Sequence, residues 1–416
     1  MNTEPIQQTE QRDPIEEACL RVFQSARTLA GSLTVVLLVA LLWRLLTFAA
    51  PERTGYDEAV YRAYAQLIGE RGMEGLRAAV AAWPDNEFLN KGSLPYRLFY
   101  LLPCTGICKL LGGYTTSNLA VLSLIFGLAT VVVVLLLARR WVGPVYGMLT
   151  TLLVAVSPLG TMLSRRALQD TCFAFVVAVS LLFFDRCLRG ERRRSDLWWL
   201  GVALVAGFLT KETMLFLYPA FLLAGLCYVR NGWRDKVPIA IPFIVAPLIH
   251  LAVVVWLSGG LQACLNTYRS YAAMQKTIPY ALQFQNGPWF RYLVDLMLLS
   301  PLAVVLAVIG AASPSRCPRA VLVFMLAALA VMSVISILNV RFILFLDPCL
   351  RVYAVLGVMA LVRRIPGSWQ FQCALAAILF VMVVGSDLFQ FYRLFEAAGV
   401  YDPVTAELIR ANGFIR

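Results

Sequence analysis

The chain has 416 residues, of which 60% are hydrophobic and only 14% charged, and its formal net charge is +12. Soluble domains carry roughly 45–50% apolar and ~25% charged residues, so the composition excludes an ordinary soluble protein. The arginines lie between apolar stretches instead of forming one basic domain, a pattern that membrane topology explains and nucleic-acid binding does not. We therefore predict an all-α, polytopic helical membrane protein, with the lipid bilayer and no nucleic acid among its partners.

Apolar stretches of about twenty residues recur along the chain, and each is long enough to cross a ~30 Å hydrocarbon core as a helix. The first is preceded by 28 mostly polar residues and followed by Pro51, where a signal peptidase would need small residues, so we expect an uncleaved signal anchor. The pattern predicts eleven spans, near residues 29–49, 117–138, 143–163, 171–187, 197–210, 213–229, 237–257, 291–312, 320–338, 342–361 and 370–388.

The segment 95–111 is apolar but contains Arg97, Lys109 and two prolines, so by itself it fits either a span or a helix lying flat in the interface. Basic residues in short loops decide between the two, because Lys and Arg are held on the cytoplasmic side. If the segment lies flat, the cytoplasmic loops hold most of the arginines; if it spans, that bias inverts. We therefore expect a flat helix.

This topology divides the chain into three parts. Residues 1–28 form a cytoplasmic segment, 29–388 the transmembrane domain, and 389–416 a short external tail. Two external loops, 50–116 and 258–290, interrupt the transmembrane domain. Apolar spacing predicts a helix that begins at Asp57 and Glu58, a second helix from Met73 to Trp83, and a tail helix that begins at Asp402 and Pro403.

Four charged clusters fall at helix ends on the same, outer face. Ionisable groups at the membrane edge are costly unless they are paired or solvated, so a shared polar cavity is the economical arrangement, and solvated helix ends that reach the interface separately are the alternative. The clusters are Asp57 with Glu58, Arg165 and Arg166 with Asp170, Lys211 with Glu212, and Arg341.

A carboxylate beside several cations suits group transfer from a phosphate leaving group to a hydroxyl or amine. The acid accepts the proton of the acceptor, and the cations offset the charge that grows on the departing phosphate. The sequence contains no GxSxG, Walker A or HExxH motif, and its only histidine, His250, lies in an apolar run. Its ten cysteines, including Cys104 and Cys108, fit small apolar side chains better than zinc ligands.

Six segments, in this order, resemble the GT-C class of membrane glycosyltransferases, in particular the protein O-mannosyltransferases and the lipid A aminoarabinose transferase. They are TGYDEAVYRAYAQLI, NKGSLPYRLFYLLPCTGICKLLG, ARRWVGP, SPLGTMLSRRALQDTCFAF, GFLTKETMLFLYP and NVRFILFLDP, and the resemblance covers roughly residues 30–365. It implies an inverting transfer from a polyprenyl-phosphate-linked sugar to a lipid, glycan or protein acceptor, at an active site that faces the periplasm or the exterior of a cytoplasmic or inner membrane.

The resemblance also implies roles for single residues. The family's acid in the first external loop corresponds to Asp57, with Glu58 beside it, and a second acid to Asp170. The donor phosphate is then held by cations, Lys211, Arg341 and one of Arg165 or Arg166. Lys91 stands in a segment, NKGSLP, that departs from the family pattern, so the roles of Lys91 and Glu87 stay open.

Two further points concern ligands. The loop 258–290 interleaves aromatic and basic residues, among them Tyr268, Arg269 and Lys276, and fits substrate contacts or an aromatic belt at the interface equally well. We expect no required cofactor. A divalent metal is compatible with the oxygen atoms of Asp57, Glu58 and Asp170, but nothing in the sequence indicates one.

Two other classes of function use the same charges. A transporter or flippase for a lipid or polar solute would line a translocation path with them, and Arg351, well inside a predicted span, is the residue that favours it. A noncatalytic subunit of a larger membrane assembly would tolerate alanine at Asp57 and Lys211.

Overall fold

The computed structural model describes residues 26–48, 55–90, 92–189, 193–227, 237–278, 282–283, 285–313, 319–335, 338–399 and 402–411. The N-terminal segment through residue 25 and Lys91 lie outside these ranges. Over the described residues the secondary structure is helical, without a strand. Its α-helices are Ala26–Leu46, Tyr56–Ala82, Leu98–Leu110, Thr116–Val142, Pro144–Ala155, Pro158–Ser164, Asp170–Leu188, Arg194–Phe208, Tyr218–Leu226, Val237–Ser258, Leu261–Gln275, Arg291–Leu299, Pro301–Ala312, Arg319–Ser333, Asp347–Arg364, Trp369–Phe391 and Pro403–Ala411.

A helix occupies each of the eleven stretches that the sequence predicts as spans. Within the described ranges, five helices are by themselves long and apolar enough to cross a membrane, or seven if two bent helix pairs each count as one span. The bent pairs are Pro144–Ala155 with Pro158–Ser164, at 54°, and Arg291–Leu299 with Pro301–Ala312, at 116°. The all-α, multi-pass membrane fold is confirmed, and the number of eleven crossings stays a prediction.

The loop 50–116, predicted to be external, contains the two helices that its sequence predicts. The helix Tyr56–Ala82 is interrupted at Gly72, whose φ of +60° is a backbone conformation that residues with a side chain rarely adopt. Asp57 and Glu58 lie in its first turn, where the dipole of a helix favours acids. Both carboxylates therefore lie at the N-terminal end of a helix that packs on Leu98–Leu110.

The segment 95–111 forms a helix of 13 residues, Leu98–Leu110. At 1.5 Å per residue it rises about 20 Å, less than a ~30 Å hydrocarbon core. The hydroxyl of Thr105 donates to the carbonyl of Ala65, 3.2 Å away, so this helix rests on Tyr56–Ala82. The short length agrees with a flat helix, while the side of the membrane on which it lies stays a prediction.

The helix Asp347–Arg364 lies at the centre of the bundle and is almost entirely buried. It approaches Pro301–Ala312 so closely that an ideal Cβ on Gly310 would lie 2.1 Å from the carbonyl oxygen of Tyr353, and one on Gly357 would lie 1.9 Å from that of Leu306. Small residues that let two backbones approach are the usual packing device between helices in a membrane.

Candidate active site

Asp57 and Arg341 form an ion pair, although 284 residues separate them in the chain. Nη2 of Arg341 donates to Oδ2 of Asp57 at 2.6 Å. Asp57 is presented by the first turn of Tyr56–Ala82, and Arg341 by a 3-10 segment, Val340–Leu346, that runs directly into the central helix. The side chain of Asp57 remains 23% exposed and that of Arg341 12% exposed, so a ligand can reach this pair.

The other oxygen of Asp57 is held weakly. Oδ1 accepts the hydroxyl of Ser93 at 3.4 Å, near the limit for a hydrogen bond. Burial by itself would raise the pKa of Asp57, but the charges of Arg341, Arg97 and Lys211 and the Arg341 hydrogen bond together hold that pKa below its usual value. Asp57 is thus an ionised carboxylate with one oxygen able to accept a proton or a hydrogen bond.

Lys211 and Asp170 form a second pair beside the first. Nζ of Lys211 lies 2.7 Å from Oδ1 of Asp170, and both side chains are almost fully buried. The ring of Phe342 connects the two pairs, because Lys211 lies 4.0 Å and Arg341 5.2 Å from its centroid. Among the described residues, Oδ2 of Asp170 finds no hydrogen-bond partner.

Burial lowers the pKa of the Lys211 amine to about 8. Asp170 opposes that shift, while the positive charge of Arg341 adds to it. Lys211 lies in the break between Arg194–Phe208 and the next helical segment. With a pKa of about 8, this lysine at a helix end loses its positive charge just above neutral pH.

Glu58, next to Asp57, has a very different environment. Its side chain is fully buried, and Oε2 accepts the backbone N–H of Gly55 at 2.6 Å and Nη2 of Arg166 at 2.8 Å. Oε1 accepts the backbone N–H of Ala167 at 2.9 Å. Glu58 therefore links the turn 165–167 to the helix that carries Asp57 by hydrogen bonds. A catalytic role for Glu58 stays a prediction.

Sequence reasoning missed Arg97 as a member of this site. Its guanidinium donates to the hydroxyl of the buried Tyr61 and lies 3.3 Å from Oε2 of Glu212. Glu212 therefore pairs with Arg97, and the carboxylate that pairs with Lys211 is that of Asp170. The available signal was an arginine in an otherwise apolar segment, where a charge is costly unless it is partnered.

The other predicted site residues are placed as follows. Arg165 turns away to Glu396 and to the carbonyl of Thr47, 3.2 Å from its Nη1, so it is not brought to Asp57. Tyr268 is half-buried against Tyr96, with ring centroids 5.7 Å apart. Arg269 and Lys276 are exposed. For the loop 258–290, substrate contacts and an aromatic belt at the membrane interface both remain predictions.

The three carboxylates considered as oxygen ligands do not converge. Each is occupied by its own cation, Asp57 by Arg341, Glu58 by Arg166 and Asp170 by Lys211. No group of three His, Cys, Asp or Glu side chains that could hold a metal ion occurs within the part of the chain that the structure describes. The dependence of the protein on a metal stays a prediction.

Arg351, the residue that favoured a transporter, lies in a separate network. Its guanidinium donates from Nε to Oδ1 of Asp347 at 3.0 Å, from Nη2 to the hydroxyl of Ser300 at 2.8 Å, and from Nη1 to Asp387. Arg351 and Asp387 are each 1% exposed. All three nitrogen atoms of the guanidinium are engaged, which is the environment of a packed structural element and not of a solute path.

Residues 99–258 match the family model described as dolichyl-phosphate-mannose-protein mannosyltransferase. This stretch contains Asp170 and Lys211 but neither Asp57 nor Arg341. A search of the curated proteins by sequence gives no match.

Solved structures match over most of the chain. ArnT from Cupriavidus metallidurans bound to undecaprenyl phosphate is 14% identical, with a TM-score of 0.55 over 87% of this chain and 75% of that one. The oligosaccharyltransferase of Archaeoglobus fulgidus tethered with an acceptor peptide is 12% identical, with a TM-score of 0.61 over 88% of this chain and 55% of that one. At these identities the likeness concerns the fold. The chain thus has the fold of the GT-C membrane glycosyltransferases, and the resemblance seen in its motifs is confirmed.

Proposed function

We propose that this protein is an inverting glycosyltransferase that moves a sugar from a polyprenyl-phosphate donor to an acceptor at the outer face of the membrane. The observation that carries the proposal is the accessible carboxylate of Asp57 among three cations, Arg341, Lys211 and Arg97. The matches to a mannosyltransferase family model and to a fold solved with undecaprenyl phosphate support the same reaction class.

The donor phosphate would bind between Lys211 and Arg341. Both cations lie against the ring of Phe342, so one anion can contact the two together. Each cation is paired with a carboxylate, so the two pairs are together close to neutral and no unpaired charge lies close to lipid. A phosphate would share Arg341 with Asp57 and Lys211 with Asp170.

Asp57 would act as the general base. The acceptor hydroxyl or amine attacks the anomeric carbon from the face opposite the phosphate, the new bond forms as the bond from that carbon to the phosphate oxygen breaks, and the configuration inverts. Oδ1, whose hydrogen bond within the described residues is the long one from Ser93, takes the acceptor proton. The electron pair of the broken bond leaves with the phosphate, next to Lys211 and Arg341. The low pKa of Asp57 keeps it ionised at neutral pH.

Other residues of the site would position these groups. Asp170 holds the ammonium of Lys211, and Glu58 with Arg166 holds the start of the helix that carries Asp57. Arg97 adds positive charge behind Asp57 and is itself fixed by Tyr61 and Glu212. The acceptor, whether lipid, glycan or protein, would approach from the first external loop, in agreement with the exposed side of Asp57.

The test is Asp57→Asn in the purified protein, reconstituted in lipid and supplied with radiolabelled polyprenyl-phosphate sugars. Release of polyprenyl phosphate and label in the acceptor fraction are measured. Loss of a general base reduces the transfer rate by about 10²–10⁴-fold. Asp85→Asn, an exposed acid of the same loop, is the matched control and should transfer at the wild-type rate.

Transfer by Asp57→Asn at the wild-type rate would remove Asp57 from the mechanism. Uptake of a polar solute into wild-type vesicles, without glycosyl transfer, would instead support the transporter.

A further inference from the structure

The backbone that carries Arg341 is held at four consecutive N–H groups. Their acceptors come from the second external loop, from the helix Arg291–Leu299, from the tail and from a neighbouring side chain. The bonds are Leu338 N–H to the carbonyl of Gln285 at 2.8 Å, Asn339 N–H to the hydroxyl of Tyr292 at 3.3 Å, Val340 N–H to Oδ2 of Asp402 at 3.1 Å, and Arg341 N–H to Oδ1 of Asn339 at 3.1 Å. Segments that are distant in sequence thus hold the backbone from which the side chain of Arg341 extends.

Asp402 is the charged member of this set. It is 1% exposed, and its Oδ1 accepts the backbone N–H of Thr405 at 2.8 Å, which caps the tail helix Pro403–Ala411. The same oxygen accepts Nη2 of Arg291 at 3.3 Å, and Arg291 also donates to the hydroxyl of Thr405 at 2.7 Å. The Oδ1 atom of Asp402 is therefore held by the tail helix and by Arg291. Its Oδ2 atom accepts the backbone N–H of Val340, the residue before Arg341.

We propose that Asp402 is a positioning residue that holds the backbone of Val340 and so places Arg341 against Asp57 and the donor phosphate. This inference rests on the proposed function for the role of the phosphate. The distance from Arg341 to Asp57 is 2.6 Å, and a displacement of roughly 1 Å in a reacting group can cost about a hundredfold in rate. The tail helix, which packs on Arg291–Leu299, thereby contributes to the active site.

Asp402→Asn is the variant that tests the proposal. The amide keeps the size of the side chain and one acceptor oxygen, so it can still cap the tail helix. It removes the charge that faces Arg291, and a single acceptor must now serve the N–H groups of both Val340 and Thr405.

Asp196→Asn is the matched control. Asp196 is 2% exposed, caps a helix through the N–H of Arg193 at 2.9 Å, and pairs with Arg186 at 3.0 Å. It therefore has the same kind of environment at a helix start remote from Asp57.

The first measurement is hydrogen exchange of the backbone amides of residues 338–341 in lipid nanodiscs, which does not depend on any activity. We expect exchange at Val340 and Arg341 to be at least about tenfold faster in Asp402→Asn and unchanged in Asp196→Asn. Unchanged exchange in Asp402→Asn would overturn the inference.

The second measurement is a double-mutant cycle on transfer with Arg341→Lys. If Asp402 acts through Arg341, Asp402→Asn should lower the rate about tenfold in the wild-type background and hardly at all in Arg341→Lys. Losses that multiply, or an equal loss in Asp196→Asn, would overturn the inference. A wild-type protein that transfers no sugar would overturn the proposed function, while hydrogen exchange would still decide whether Asp402 holds this backbone.

Discussion

Two groups of charges lie inside this helical bundle, and they differ in access. At the site, Asp57 and Arg341 keep 23% and 12% of their side chains exposed, and within the described part of the chain one oxygen of Asp57 accepts a single, long hydrogen bond, from Ser93. In the Arg351 network, Arg351 and Asp387 are 1% exposed, and the guanidinium is engaged at all three nitrogen atoms.

The difference separates two uses of an ion pair near lipid. A buried charge must be partnered, whatever its role, so pairing alone does not mark function. What distinguishes the group around Asp57 is hydrogen-bonding capacity that a ligand can reach, because Asp57 and Arg341 are partly exposed. If this distinction is correct, substitutions in the Arg351 network should affect folding, and substitutions around Asp57 should affect transfer.

The largest effect on stability is expected for Arg351→Leu. It leaves Asp347 and Asp387 buried without their cation, and breaking a buried pair costs about 3–5 kcal/mol. Thermal unfolding in detergent is the measurement, with Arg364→Leu, an exposed arginine at the end of the same helix, as the control. If Arg351→Leu unfolded at the wild-type temperature but no longer transferred sugar, the Arg351 network would serve catalysis and the proposed distinction between the two groups would be wrong.

The next effect concerns pH. Lys211 must be protonated to attract a phosphate, and its pKa is lowered to about 8, so the charge is present below pH 8 and is lost as pH rises through that value. We expect kcat/KM for the donor to fall about tenfold per pH unit above 8, because this ratio reports the free enzyme. Lys211→Arg, whose charge persists to pH 12 and above, should remove this fall. An unchanged profile in Lys211→Arg would assign it to another group.

The smallest effect is expected for Ser93→Ala. Its bond to Oδ1 of Asp57 is 3.4 Å long, so its loss should change the rate about threefold or less, without a change in stability comparable to that of Arg351→Leu. Rates measured beside Asp57→Asn provide the scale. A hundredfold loss in Ser93→Ala would mean that Ser93 orients Asp57 much more strongly than the distance indicates.

The sequence predicted the helical membrane fold, the two helices of the first loop and the start of the tail helix, because all three depend on local patterns of apolar residues, glycine and proline. It also predicted that Asp57, Asp170, Lys211 and Arg341 would meet, from their position at helix ends on one face. These are features that periodicity and loop charge encode directly.

The partners of each charge could not be predicted in the same way. Arg97 pairs with Glu212 across 115 residues, and Asp170, not the adjacent Glu212, takes Lys211. Pairing depends on how each helix end is rotated, which the sequence alone does not give. The direction of Arg165, towards Glu396, follows from the placement of the tail and was likewise out of reach.

The contact between Gly310 and Gly357 has a mechanical consequence. The helix that contains Gly357 begins at Asp347, directly after the 3-10 segment that bears Arg341, so the spacing between this helix and Pro301–Ala312 affects where that segment starts. A methyl group at either glycine would meet a carbonyl oxygen about 2 Å away and force the two helices apart. The alignment of Arg341 with Asp57 is thus set partly by two residues that carry no side chain at all.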